Sequence, residues 1–176
     1  MSRLTNRSLP PYSFVPGRNP HPVRDPRGHR YGEEELHVTF SADQWAACED
    51  YLFAIDLFNA GFYWESHEYF EAVWHACQRT GNEADLMKGL IKLAAAGVKV
   101  RQNQPAGVHR HVARGRTLFA QVALDRPWLL GLGLNDLVRA CDRLIVWAAG
   151  DTNIGWGNLN ALLPCRLSLV AKQPGR

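Results

Sequence analysis

The sequence predicts an all-α fold: a single compact antiparallel bundle of about five helices behind an extended, proline-rich arm. Three observations carry this reading. From Ser41 onward, apolar residues recur at three- and four-residue steps. No stretch alternates convincingly as a strand would, and no internal repeat is present. The chain has 176 residues, 46% hydrophobic and 21% charged, which suits one ordinary globular domain and is too little for two.

Residues 1–32 form the arm. Six of the ten prolines fall in it, at Pro10, Pro11, Pro16, Pro20, Pro22 and Pro26. Proline fixes φ and removes a donor, so the segment is expected to be extended. Tyr12, Phe14 and Val15 are too apolar for a solvated tail, so at least part of the arm is expected to lie on the domain. The stretch HPVRDPRGHR reads as docked coil before it reads as a binding arm.

The helical domain is expected over 33–160. Its first helix starts at Ser41, where SADQ forms a capping box with Gln44. Trp45, Cys48, Leu52 and Ile55 make its apolar stripe, and Asn59–Gly61 ends it in residues that tolerate a left-handed turn. A second helix runs from Phe62 to Arg79 and stops at TGN. The third runs from Glu83 or Asp85 to Asn103, before Pro105. A fourth covers Ala106–Leu124. The fifth begins at Asn135 as N-cap and stripes Leu137, Val138, Cys141, Leu144, Ile145 and Ala148. Residues 161–176 read as an irregular tail.

Bulk properties narrow the function. A net charge of +3 and a pI near 8.8 permit nucleic-acid contact without arguing for it. The basic run GVHRHVARGR has one nearby ring, Phe119, so a nucleic-acid partner is not expected. Cys48, Cys77, Cys141 and Cys165 are too scattered for a zinc or redox motif and read as free thiols in a reducing compartment. There is no signal-peptide core and no run near the roughly 18 apolar residues of a membrane span, so a cytoplasmic protein away from membranes is expected. Phosphate-binding loops, dinucleotide fingerprints and Gly-x-Ser-x-Gly elbows are absent.

The informative stretch is NAGFYWESHEYFEAVWHAC, Asn59–Cys77. On a helical wheel, Phe62, Tyr69, Phe70, Val73, Ala76 and Cys77 take one side. His67, Glu68, Glu71 and His75 take the other, with Glu65 at its margin. Trp64 sits within the polar stripe and Trp74 at its edge, where large rings suggest cover by another element. In the third helix Lys88, Lys92 and Lys99 share one face, so a basic stripe can meet the acidic one.

Three readings of the stripe compete. It can be a polar cluster, Glu65, His67, Glu68, Glu71, Lys88 and Lys92 walled by Trp64 and Trp74, that organises the helix hairpin or a binding groove. Alternatively, His67 and Glu71 bind a divalent metal, with His75, His109 or His111 as third ligand and Glu68 as the base of a hydrolase. Or Glu68 and His67 form a metal-free acid–base pair. The first two differ in geometry. Zinc needs three or more donors about 2.0–2.2 Å from one point, whereas a structural cluster needs Lys88 or Lys92 within reach of the glutamates. The sequence leaves enzymatic activity undecided. It names no cofactor and no partner beyond a small molecule or a protein, a second copy of the chain included.

The stretch FNAGFYWESHEYFEAVWHAC, followed by LMKGLIKLAAAGVKVRQNQPAGVHRH, resembles the bacterial and archaeal family called domain of unknown function 309. The shared pattern is an Asn-x-Gly turn, an aromatic pair, Glu-x-His-Glu, a further Glu and a Trp, then a Gly-Leu-Ile helix. It covers roughly Ser41–Leu118. The resemblance implies a compact all-α domain with Glu65, His67, Glu68, Glu71 and Trp74 at signature positions, and it implies no activity. Lys88 and Lys92 stand where the family often has glutamine, which favours a charge-balanced cluster in this chain.

Overall fold

The computed structural model describes residues 3–150 and 155–170. Residues 171–176 of the expected tail lie outside the described residues. Five α-helices follow one another: α1 Glu49–Asn59, α2 Tyr63–Ala76, α3 Gly81–Arg101, α4 Pro105–Asp125 and α5 Leu134–Ala149. Each packs on the next. The short links make neighbours antiparallel, and the all-α bundle is the architecture.

The first expected helix is divided. Ala42–Ala47 is a 3₁₀ turn with a kink at Gln44, and extended Cys48 separates it from α1. Ser41 makes no side-chain capping bond, so the capping box does not form. Trp45 gives a tertiary reason. Its ring sits where a Cβ on Gly131 would be, 2.4 Å away, and edge-on to Tyr51 at 6.2 Å. Following the line of α1 is worth less to this segment than seating that ring.

α1 opens with Glu49 and Asp50, which suit the positive end of the helix dipole. It ends at Asn59, and the chain turns away at Gly61, whose φ of +86° favours glycine. A side chain there would also strike Arg101 Nη2 at 2.6 Å. α2 stops at Ala76, before TGN, because Gln78 and Arg79 adopt left-handed torsions. α3 then begins at Gly81, two residues earlier than its sequence signals. Between Asp125 and α5 the chain makes a hairpin of two short strands, β1 Trp128–Leu129 and β2 Leu132–Gly133, with Leu129 opposite Leu132. Leu130 and Gly131 at its turn both have positive φ. Gly133, not Asn135, takes the N-cap position of α5.

Tyr51, Ile55, Phe58, Tyr63, Phe70, Leu86, Leu90, Leu93 and Phe119 fill the core. Small residues let the helices approach. A Cβ on Gly97 would lie 2.3 Å from the Tyr63 ring, and one on Gly89 2.3 Å from Phe119. No helix among the described residues is long and apolar enough to cross a membrane. Cys48, Cys77, Cys141 and Cys165 are free. Burial pushes the Cys77 thiol up to about 11 and those of Cys141 and Cys165 up to about 12, which makes them weak nucleophiles.

Candidate functional site

α2 carries two polar arrangements on different sides. The first centres on Glu65, which is 3% exposed although the wheel places it at the margin of the polar stripe. The arm covers it. The Phe14 N–H donates to Glu65 Oε1 at 2.8 Å, and Ser13 Oγ lies 3.5 Å from Oε2. His29 Nε2 approaches Oε1 to 3.5 Å without completing a hydrogen bond, its side chain only 7% exposed. Arg101 of α3 closes the arrangement. It donates to Ser13 Oγ at 2.7 Å and to the Ala161 carbonyl at 3.1 Å, beneath the Tyr63 ring. Burial draws the Arg101 pKa down, against the attraction of Tyr63 and Glu65.

A second buried carboxylate does the same for the start of the arm. Asp56 of α1 accepts from the Leu4 and Thr5 N–H groups and from Thr5 Oγ1, each at 2.8 Å. Arg7 bonds Asp50 at 2.7 Å and Tyr69 Oη at 2.5 Å, over the Phe53 ring. The tail is held through Asn59, which exchanges two 2.8 Å bonds with Leu167, and through Tyr63 Oη, which accepts from the Leu163 N–H at 2.8 Å.

The second arrangement is the polar face of α2. His67 Nδ1 stands 3.7 Å from Glu68 Oε1 and 3.9 Å from Glu71 Oε2. It is shielded from solvent and has no hydrogen-bond partner among the described residues. Donor atoms of His67, Glu68 and Glu71 lie within 4.8 Å of one another, so the structure brings these three together. The other expected members lie elsewhere. His75 is exposed and bonded to Arg79 at 2.7 and 3.1 Å. Trp74 packs against that pair, about 15 Å along the helix from Trp64. Lys88 is exposed, and neither it nor Lys92 makes an ion pair with Glu65, Glu68 or Glu71 among the described residues. The lysine ladder expected across the hairpin does not form. Lys92 and Lys99 instead face α4: Lys99 Cγ and Cδ lie 3.0 Å from where a Cβ on Gly107 would be, and Lys92 Cβ 3.6 Å from one on Gly115.

Trp64 divides the ground beside this face. Toward the arm it lines a cleft of about 390 Å³ with Arg24, Arg30, Glu34, Glu35 and Glu68. Toward α3 it lines a second, about 160 Å³, with His67, Ala95, Val98 and Lys99. Phe14 meets the indole edge-on at 5.2 Å and His21 at 5.4 Å, so the arm holds the ring in place. The arrangement can hold a ligand against an indole wall, with an imidazole, carboxylates and a lysine in reach.

Sequence reasoning missed Arg101, His29, Ser13 and Asp56. A signal existed for two of them. Arg101 continues the Leu86, Leu90, Leu93, Gly97 stripe, and Asp56 follows Leu52 by four. A charge on an apolar stripe marks a buried partner. His29 and Ser13 depend on how the arm folds back, which periodicity does not address.

Neither the curated proteins nor the solved structures gave a match to this chain. Residues 51–111, about a third of the chain, match the model of a family described as a domain of unknown function, DUF309. The matched stretch runs from Tyr51 on α1 to His111 on α4, across α2 with its glutamates and His67, and over that stretch the chain is similar to DUF309.

Proposed function

We propose that the chain is a cytoplasmic, non-catalytic binding domain whose ligand occupies the groove on both sides of Trp64. The observation that supports this most is the position of that indole, half-buried and shared by two clefts with His67 in one and Glu68 in the other. Large rings that stay partly open beside unpaired polar atoms are what binding sites offer. The Glu65 arrangement serves the groove from behind: it anchors Phe14, and Phe14 braces Trp64. On this reading residues 1–32 belong to the same working unit as the helices.

The test is fluorine NMR of protein labelled with 5-fluorotryptophan, the Trp64 signal assigned through Trp64→Phe. Small polar aromatic fragments are expected to shift Trp64 before the other tryptophans. Binders that leave Trp64 unmoved and shift Trp147 or Trp156 would overturn the reading.

A divalent cation on His67, Glu68 and Glu71 is the second reading, supported by the convergence of their donors. Metal content of the purified protein and of His67→Ala decides it. Near-stoichiometric metal, lost in a folded variant, would displace the first reading at this face. Hydrolysis by such an ion has no support of its own in the groove or in the family match.

A further inference from the structure

The groove reading leaves the ligand unnamed, and the following step rests on it. The α3 side of Trp64 is short of negative charge. Lys99 reaches the small cleft, and among the described residues its Nζ bonds only the neutral Gln102 Oε1, at 2.8 Å. Lys92 has no ion pair among the described residues, and Glu68 and Glu71 are turned to His67 Nδ1. An ammonium at a cleft with a neutral partner is completed by an anion.

Lys99 is also held in place. Its Cγ and Cδ lie 3.0 Å from where a Cβ on Gly107 would be, so the stem is laid against α4 and the ammonium is directed by packing. Beside Lys99 and His67 the lining of the cleft is apolar: the indole, Ala95 and Val98. Its volume of about 160 Å³ is close to the roughly 150 Å³ of an engineered cavity that holds benzene. That is room for one ring.

We propose that this cleft binds a small aromatic carboxylate, the ring between Trp64, Ala95 and Val98 and the carboxylate on Lys99. The shape sets the ring, and Lys99 sets the charge.

Sodium benzoate, benzyl alcohol and inorganic phosphate are the probes, followed by calorimetry and by the fluorine signal of Trp64. Variants are Lys99→Met, which keeps the stem over Gly107, and Lys99→Arg, which keeps the charge. Benzoate is expected to saturate and to shift Trp64. It should lose about tenfold in affinity in Lys99→Met and little in Lys99→Arg, the size of one charge-assisted hydrogen bond. Benzyl alcohol should bind more weakly and ignore both changes. If benzyl alcohol shifts Trp64 as strongly as benzoate, or Lys99→Met is without effect, the carboxylate class falls and the groove stands. If phosphate competes as well as benzoate, the ring has no part and the aromatic class falls. If no probe shifts Trp64, the carboxylate class and the groove fall together. Both variants are checked by thermal melting, so a misfolded protein is not read as a lost site.

Discussion

Glu65 and Glu68 stand one turn apart on α2 and share one chemistry, yet they occupy different media. Glu65 is enclosed by the arm, accepts a backbone N–H at 2.8 Å and has His29 and Ser13 beside it. Glu68 is about a third exposed, borders a cleft and faces, at 3.7 Å, an imidazole nitrogen that bonds nothing among the described residues. The first carboxylate is consumed by the fold. The second is left over from it. A buried charge persists only with partners in place, so its removal is felt as stability, while a half-open charge with loose partners contributes little to stability and stays available to a ligand.

The strongest way to break this contrast is Glu65→Ala. It strips the buried Phe14 N–H of its acceptor and leaves a void beneath the arm, a loss of about 3 kcal/mol in all. Urea unfolding measures it, and limited proteolysis within residues 10–32 should speed up as the arm loosens. Glu65→Gln keeps an acceptor for Phe14 and should cost about 1 kcal/mol. A loss below 1 kcal/mol in the alanine variant would mean that the arm is held from elsewhere, Asp56 and Arg7 being the alternatives.

The helix side behind Glu65 is as closed as the groove side is open, and two substitutions on α3 compare them. Gly97→Ala drives a methyl into the Tyr63 ring, 2.3 Å away, and should cost about 1–3 kcal/mol. Ala95→Val points at the cleft beside Trp64 and should change stability by less than about 0.5 kcal/mol. Thermal melts of the pair suffice. Equal losses would mean that the cleft is packed as tightly as the core.

The sequence made the bundle readable because amphipathic periods survive any arrangement of helices. It gave α3 and α4 to within a few residues, and the Asn-x-Gly turn at Gly61. It misread the entry to α1, where seating Trp45 outweighed a capping box, and the hairpin at 128–133, whose two-residue strands have no period to detect. Leu130 in a left-handed turn carries no turn signature either. At the site, a wheel orders residues around one axis and cannot say what will lie on top. It therefore grouped Glu65 with Glu68, because the arm that separates them comes from 50 residues upstream in the chain. Lys92 and Lys99 were placed on the right face of α3, and that face met α4, not the glutamates.

A smaller effect sharpens the electrostatics of the open side. The His111 pKa lies below its ordinary 6.5 in the folded chain, through burial and then Lys92, Lys99, Arg110 and His67. The unfolded chain therefore takes up this proton first as the pH falls. Stability from His111 is complete above 6.5 and is lost as the pH drops from there to the folded value. His111→Gln should flatten that part of the acid limb relative to wild type. Lys92→Met should raise the His111 pKa, read from its ring protons by NMR. An unmoved value would mean that burial alone sets it and that no uncompensated charge surrounds it.

His67→Ala should do least to the fold. Its Nδ1 has no hydrogen-bond partner among the described residues, and the carboxylates beside it, 3.7 and 3.9 Å away, are both partly exposed. Loose pairs of this kind contribute about 0–1 kcal/mol. Urea midpoints near that of wild type, together with weakened binding of any probe that shifts Trp64, would keep the two sides of α2 distinct. A loss above about 2 kcal/mol would make His67 the keystone of a structural cluster, the way Glu65 is, and α2 would then carry two latches and no site.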